Sequence, residues 1–133
     1  MKELLPVKLN IYQFSNNPIL SIFNISFYHT AIEFADTEFA FGNNCEDEGI
    51  YYLSPKSYNA LFLESITLGD CDRRTFFKAL EKLRVHFKGN TYNIFFKNCN
   101  HFTNSLSRLL FEKELPKKYT KFLSLGDVLR KVF

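Results

Sequence analysis

Tryptophan is absent, cysteine is scarce and no apolar run is long; each shortage removes a class of protein. With sixteen Phe and seven Tyr but no Trp, the sequence points to a core filled mainly with phenyl and phenol rings. The three cysteines, Cys45, Cys71 and Cys99, are odd in number, stand roughly thirty residues apart and include no C-x-x-C pair. That spacing argues against a disulfide framework and against a zinc finger. It suits a reducing compartment, so the expected location is cytoplasmic or nuclear. No apolar segment reaches the roughly twenty residues that a membrane-crossing helix needs. The opening residues, Met1-Lys2-Glu3-Leu4-Leu5-Pro6, break off in charge and proline before any signal-peptide-like run. A net charge of +3 over 133 residues, with little clustering of Lys and Arg before the last twenty, lacks the electrostatic footprint of a nucleic-acid binder.

What is present is globular. Apolar residues make up 46% of the chain and charged ones 23%, enough for one domain, residues 1–133, with a real core. There is no internal repeat and no low-complexity stretch. Val7 to Phe14 alternates apolar and polar residues as a half-buried strand does, and Ser15-Asn16-Asn17-Pro18 ends it. Ile25–Phe34 and Thr37–Phe41 read as a hairpin, with Glu33 and Glu38 on its solvated face. After a loop from Gly42 to Gly49, Ile50–Leu53 and Leu61–Leu68 read as two further strands. Asp70 or Asp72 can cap a helix running to about Lys88, with Gly89 as its C′ residue and Phe76, Leu80, Leu83 and Phe87 facing the core. A strand over Tyr92–Phe96 is expected next, then a helix carrying Phe102, Leu106, Leu109 and Leu110 that ends by Pro116. Residues 119–133 suggest a C-terminal amphipathic helix whose basic face, with Lys121, Arg130 and Lys131, is solvated.

The chemistry gathers in Lys97-Asn98-Cys99-Asn100-His101-Phe102. A thiol at a strand-to-helix corner meets unpaired backbone N–H groups and the positive end of the helix dipole, which makes Cys99 a candidate nucleophile. It needs a base, and His29, inside Tyr28-His29-Thr30-Ala31-Ile32-Glu33-Phe34, is the best supplier. His101 lies two residues beyond Cys99, so on a helix it points roughly 200° away from the thiol. No short ligand pair supports a metal site, and no cofactor is expected. Cys45 and Cys71 read as incidental thiols. The acidic run Glu46-Asp47-Glu48 is a candidate rim contact for a basic substrate tail.

These motifs, together with Glu38-Phe39-Ala40-Phe41-Gly42 and Lys88-Gly89-Asn90-Thr91-Tyr92, resemble the PPPDE family. Its members, the deSUMOylating isopeptidases, look like circularly permuted papain-type cysteine peptidases. The likeness runs from about Val7 to about Lys118. It implies an α+β fold, a small antiparallel sheet or partial barrel packed against helices with the nucleophile at a helix N-terminus. It puts the family's histidine on His29 and its nucleophile on Cys99, and makes Asn98 and Asn100 candidates for contacts to substrate or oxyanion. The implied partners are SUMO- or ubiquitin-conjugated proteins, hydrolysed at the isopeptide bond by a Cys–His dyad. A protein depalmitoylase using the same dyad, and an inactive binding module, are the alternatives. Nothing in the sequence fixes the oligomeric state.

Overall fold

A computed structural model describes residues 2–13, 28–42, 48–93 and 97–119. Five antiparallel strands form one sheet: β1 (Leu5–Gln13), β2 (Tyr28–Phe34), β3 (Thr37–Phe41), β4 (Ile50–Leu53) and β5 (Leu61–Cys71), in the spatial order β4-β3-β2-β1-β5. Two helices, α1 (Arg73–Arg84) and α2 (Cys99–Phe111), complete an α+β fold. No helix among the described residues is long and apolar enough to cross a membrane.

Residues directly opposite in an antiparallel pair share a face, so the register sorts the side chains. Leu9 faces Ile32 and Ile32 faces Phe39; with Val7, Ile11, Phe34 and Phe41 they form the apolar face on which Phe76 and Leu80 of α1 and Phe102 and Leu106 of α2 pack. Ring pairs close it: Phe34 stacks on Phe76 (4.1 Å, 14°), and Phe87 meets Phe41 and Phe102 edge-on. The other face carries Tyr12 opposite His29, Asn10 opposite Ala31, and Glu33 opposite Glu38.

The expected hairpin and the strands at Ile50 and Leu61 are present, with β5 running on to Cys71. Two expectations are corrected. Glu38 is not on a solvated face: it is 2% exposed, drawn in by Tyr12 Oη and Asn10 Nδ2 at 2.6 and 3.0 Å. Helix α1 begins at the Asp72 cap, whose Oδ1 accepts the Thr75 N–H (2.9 Å), but stops at Arg84, short of Lys88. A turn follows, in which the N–H groups of His86 and Phe87 both reach the Leu83 carbonyl; it brings Phe87 inward, and Gly89 opens a 3₁₀ turn instead of capping the helix. Gly49 lies against that turn so closely that a Cβ there would stand 2.3 Å from the Phe87 carbonyl oxygen. Asn93 and Lys97 exchange two backbone hydrogen bonds (2.8 and 2.9 Å); of the strand expected over Tyr92–Phe96, residues 94–96 lie outside the described residues. Leu109 of α2 is 44% exposed while its neighbour Leu110 packs on the core. Phe14, Ile25 to Phe27 and the C-terminal amphipathic helix lie outside the described residues.

Candidate active site

Helix α2 owes its start to Asn98, in extended backbone (φ −117°, ψ −173°), whose Oδ1 accepts the N–H groups of Asn100 (2.9 Å) and His101 (3.3 Å). His101 Nδ1 in turn accepts the Asn98 N–H at 2.9 Å. This is a capping box with histidine where Glu or Gln is usual. Cys99 is thereby the first helical residue, and the His101 ring is directed to the cap, in keeping with the helical geometry that turns it from the thiol.

The first turn of α2 meets the beginning of β2. Asn100 Nδ2 donates to the Tyr28 carbonyl (3.0 Å), and Thr30 Oγ1 donates to Asn100 Oδ1 (2.6 Å). Thr103 Oγ1 lies 2.6 Å from Thr30 Oγ1. The backbone N–H of Thr30, the residue after His29, is bonded to the Cys99 sulfur. The fold therefore carries Cys99 to within one residue of His29 along β2.

His29 is buried (2% exposed) beneath rings. Tyr58 stacks flat on its imidazole, centroids 3.9 Å apart at 12°, and Tyr12 stands at 5.7 Å. The Tyr12 hydroxyl, held by Glu38, also accepts the backbone N–H of Lys56, in the turn leading to Tyr58. Thr30, Tyr12, Glu38 and Tyr58 are neighbours the sequence reading missed. The alternation of Val7 to Gln13 places Tyr12 on one strand face, but only the register sets that face against His29. Tyr58 sits in turn sequence with no periodicity to announce it.

At the Cys99 sulfur, burial and the surrounding backbone N–H groups pull in opposite directions. Cys99 is 3% exposed, and burial pushes its thiol up to about 11, although the N–H groups of Thr30, Asn100 and Cys99 itself pull it down. Burial likewise brings His29 down to about 4. Both effects favour the uncharged form, so near neutrality the pair rests as thiol and imidazole. Burial also raises the phenols of Tyr51, Tyr58 and Tyr92, with the Cys99 sulfur adding to each. Cys71, buried at the end of β5, is pushed up to about 11 as well, by burial and then Asp72 and Asp70. Ionisation at rest therefore does not single out Cys99; its partners do.

Of the acidic run, Glu46 and Asp47 lie outside the described residues, as does Cys45. Glu48 is drawn to α1, its Oε2 2.8 Å from Arg84 Nη1 in an exposed pair, the kind that contributes little. Among the described residues no group of three or more His, Cys, Asp or Glu is arranged to hold a metal ion.

The model of the "PPPDE putative peptidase domain" family matches residues 5–132. A DeSI-like protein of Arabidopsis thaliana is 32% identical over 129 residues, covering 93% of this chain and 58% of its own length. A desumoylating isopeptidase 1 homolog of Caenorhabditis elegans is 32% identical over 129 residues, covering 90% of this chain and 39% of its own length. Human desumoylating isopeptidase 1 is 29% identical over 130 residues, covering 89% and 74%. The chain thus spans well under two thirds of the plant and nematode relatives and about three quarters of the human one. A match running from the first strand past the last described residue, over a sheet that brings Cys99 beside the His29 strand, makes this chain a member of the PPPDE family of peptidase domains.

Proposed function

We propose that this protein is a cysteine isopeptidase of permuted papain-like architecture that removes SUMO from lysine side chains, with Cys99 as nucleophile and His29 as acid and base. The observation that carries the reading is the meeting of the Cys99 sulfur with the Thr30 N–H, one residue from His29. The names of the relatives supply the substrate class: two are called desumoylating isopeptidases.

In the reaction His29 takes the thiol proton and the thiolate adds to the isopeptide carbonyl carbon. Collapse of the adduct breaks the C–N bond and releases the lysine amine, which carries off the proton from His29. Water, giving a proton to His29, then cleaves the thioester and restores the thiol. The neutral resting pair makes substrate entry part of activation, because ionising the thiol requires displacing what buries it or placing polar groups beside it. For the oxyanion, Asn98 Oδ1 already engages the N–H groups of Asn100 and His101, so the Cys99 N–H is the helix-start donor assigned here. Glu48, with Glu46 and Asp47, remains the proposed rim for a basic tail.

SUMO and ubiquitin bearing C-terminal electrophiles, set beside a fluorogenic S-acyl substrate, test the assignment with wild type, Cys99→Ser and His29→Ala. The expected result is covalent capture of the SUMO probe by Cys99, lost in Cys99→Ser and slowed at least about a hundredfold in His29→Ala. Capture of ubiquitin alone would change the modifier. Capture of neither, with Cys99-dependent S-acyl cleavage, would make the protein a thioesterase, and no Cys99-dependent reaction would make it a binding module.

A further inference from the structure

A residue in a strand points its N–H and C=O to one side, and residues two apart point the same way. Tyr28 and Thr30 therefore offer their backbone groups to one edge of β2. The β2–β3 ladder reaches only as far as Ile32 opposite Phe39, so these groups lie beyond it. The first turn of α2 stands in for the missing strand: Asn100 Nδ2 donates to the Tyr28 carbonyl at 3.0 Å, and the Thr30 N–H is bonded to the Cys99 sulfur. The amide orientation of Asn100 is fixed by chemistry, since the Tyr28 carbonyl can only accept and must face Nδ2. That leaves Oδ1 for the Thr30 hydroxyl (2.6 Å), whose own oxygen takes the Thr103 hydroxyl hydrogen (2.6 Å). Asn100, Thr30 and Thr103 are 2%, 0% and 0% exposed, so water cannot replace these bonds cheaply. Asn100 Oδ1 also lies 3.9 Å from the Cys99 sulfur.

We propose that Asn100 is a positioning residue: with Thr30 and Thr103 as its support, its amide clamps the first turn of α2 to the open edge of β2 and thereby sets the Cys99 thiol against the His29–Thr30 peptide. The proposal rests on the Cys99–His29 assignment for its bearing on catalysis, but the clamp itself is tested without substrate. It replaces the expectation that Asn100 contacts substrate or oxyanion, because both ends of its amide are engaged with β2. The titratable groups that feel the sulfur are Tyr51 from β4, Tyr58 from the β4–β5 turn and Tyr92 before α2, and His29 precedes Thr30 on β2; the variants leave all of them in place.

The measurement is the iodoacetamide alkylation rate of Cys99 relative to Cys71, by peptide mass spectrometry, between pH 7 and 9. Cys71 is buried in the sheet far along the chain and reports general loosening. In Asn100→Ala the sulfur loses its clamp and gains water, so the Cys99 to Cys71 ratio should rise about tenfold. In Asn100→Asp a carboxylate close to the sulfur disfavours thiolate, and the Cys99 rate should fall about tenfold below wild type. Opposite changes from one position are not what a merely structural role gives. With the SUMO probe, both variants should react at least about tenfold more slowly, the freer thiol of Asn100→Ala included. A ratio unchanged in both variants, or a rise of both cysteines together, overturns the proposal. Should either variant fail to fold, Thr30→Val keeps shape and removes only the hydroxyl; the ratio should then rise two- to threefold, about 0.5 kcal/mol, and no rise overturns the clamp.

Discussion

Over the centre of the sheet, β1 to β3, both faces are largely closed to solvent, by different chemistry. On the helix side Val7, Leu9, Ile11, Ile32, Phe34, Phe39 and Phe41 meet the rings and leucines of α1 and α2. Contacts of this kind have no donor or acceptor to misplace, so they tolerate repacking that keeps volume. On the opposite side Asn10 and Tyr12 are fully buried, and Glu38 nearly so, yet order comes from hydrogen bonds at 2.6 to 3.0 Å and from the stack of Tyr58 on His29. Directional bonds in a dry site hold one geometry or fail. The apolar face supplies the rigid support and the polar face the orientation of His29, the division of labour a reactive site needs.

The sharpest way to break that comparison starts at Phe76, fully buried and stacked on Phe34. Phe76→Ala should lower stability by about 3–5 kcal/mol through lost burial and the cavity it leaves. Phe76→Leu, closer in volume, should lose less than half of that. Urea denaturation of the two gives the ratio directly; equal losses would mean that this face is as exacting as the polar one.

Next in size is the acid limb of the stability curve. His29 is down at about 4 in the folded chain, against about 6.5 when unfolded. Between those values the unfolded chain binds a proton that the folded one refuses, so stability present above pH 6.5 is lost as pH falls towards 4, by about 3 kcal/mol. His29→Gln removes that step and should flatten this part of the curve. Cys99 and Cys71, both pushed up to about 11, make an alkaline limb in which stability falls as pH rises through 9. A wild-type curve as flat between pH 6.5 and 4 as that of His29→Gln would show that His29 is not held neutral by burial.

How much of this was legible beforehand follows the same division. The helix-facing positions could be found from periodicity alone: Leu9 and Ile11 on a period of two, Phe76 and Leu80 on a period near four. The corner at Cys99 could be found from Asn98, a good capping residue before an apolar period. Glu38 was misjudged because alternation tells which residues share a face and not whether that face is wet. The end of α1 was misjudged because Phe87 keeps the helical spacing after the helix has stopped. The neutral resting thiol was not legible in the sequence for a reason of magnitude. A helix terminus contributes of order 1 kcal/mol, and complete burial of the sulfur outweighs it.

The smallest of the expected effects tests the polar face atom by atom. Tyr12 Oη donates to Glu38 Oε1 at 2.6 Å and accepts the Lys56 N–H, tying β3 to the turn that leads to Tyr58. Tyr12→Phe keeps the ring against His29, Tyr58 and Phe62 and removes one oxygen. Glu38 then has one donor fewer and Lys56 no acceptor there, a loss of about 1–2 kcal/mol. The loss should be local: amide hydrogen exchange should speed up at Lys56 and Ser57 while Leu9 and Ile11, in the middle of β1, keep their protection. Should Tyr12→Phe instead stay within about 0.5 kcal/mol of wild type, as surface changes do, with Lys56 exchange unaltered, ring packing and not hydrogen bonding would be what orders both faces.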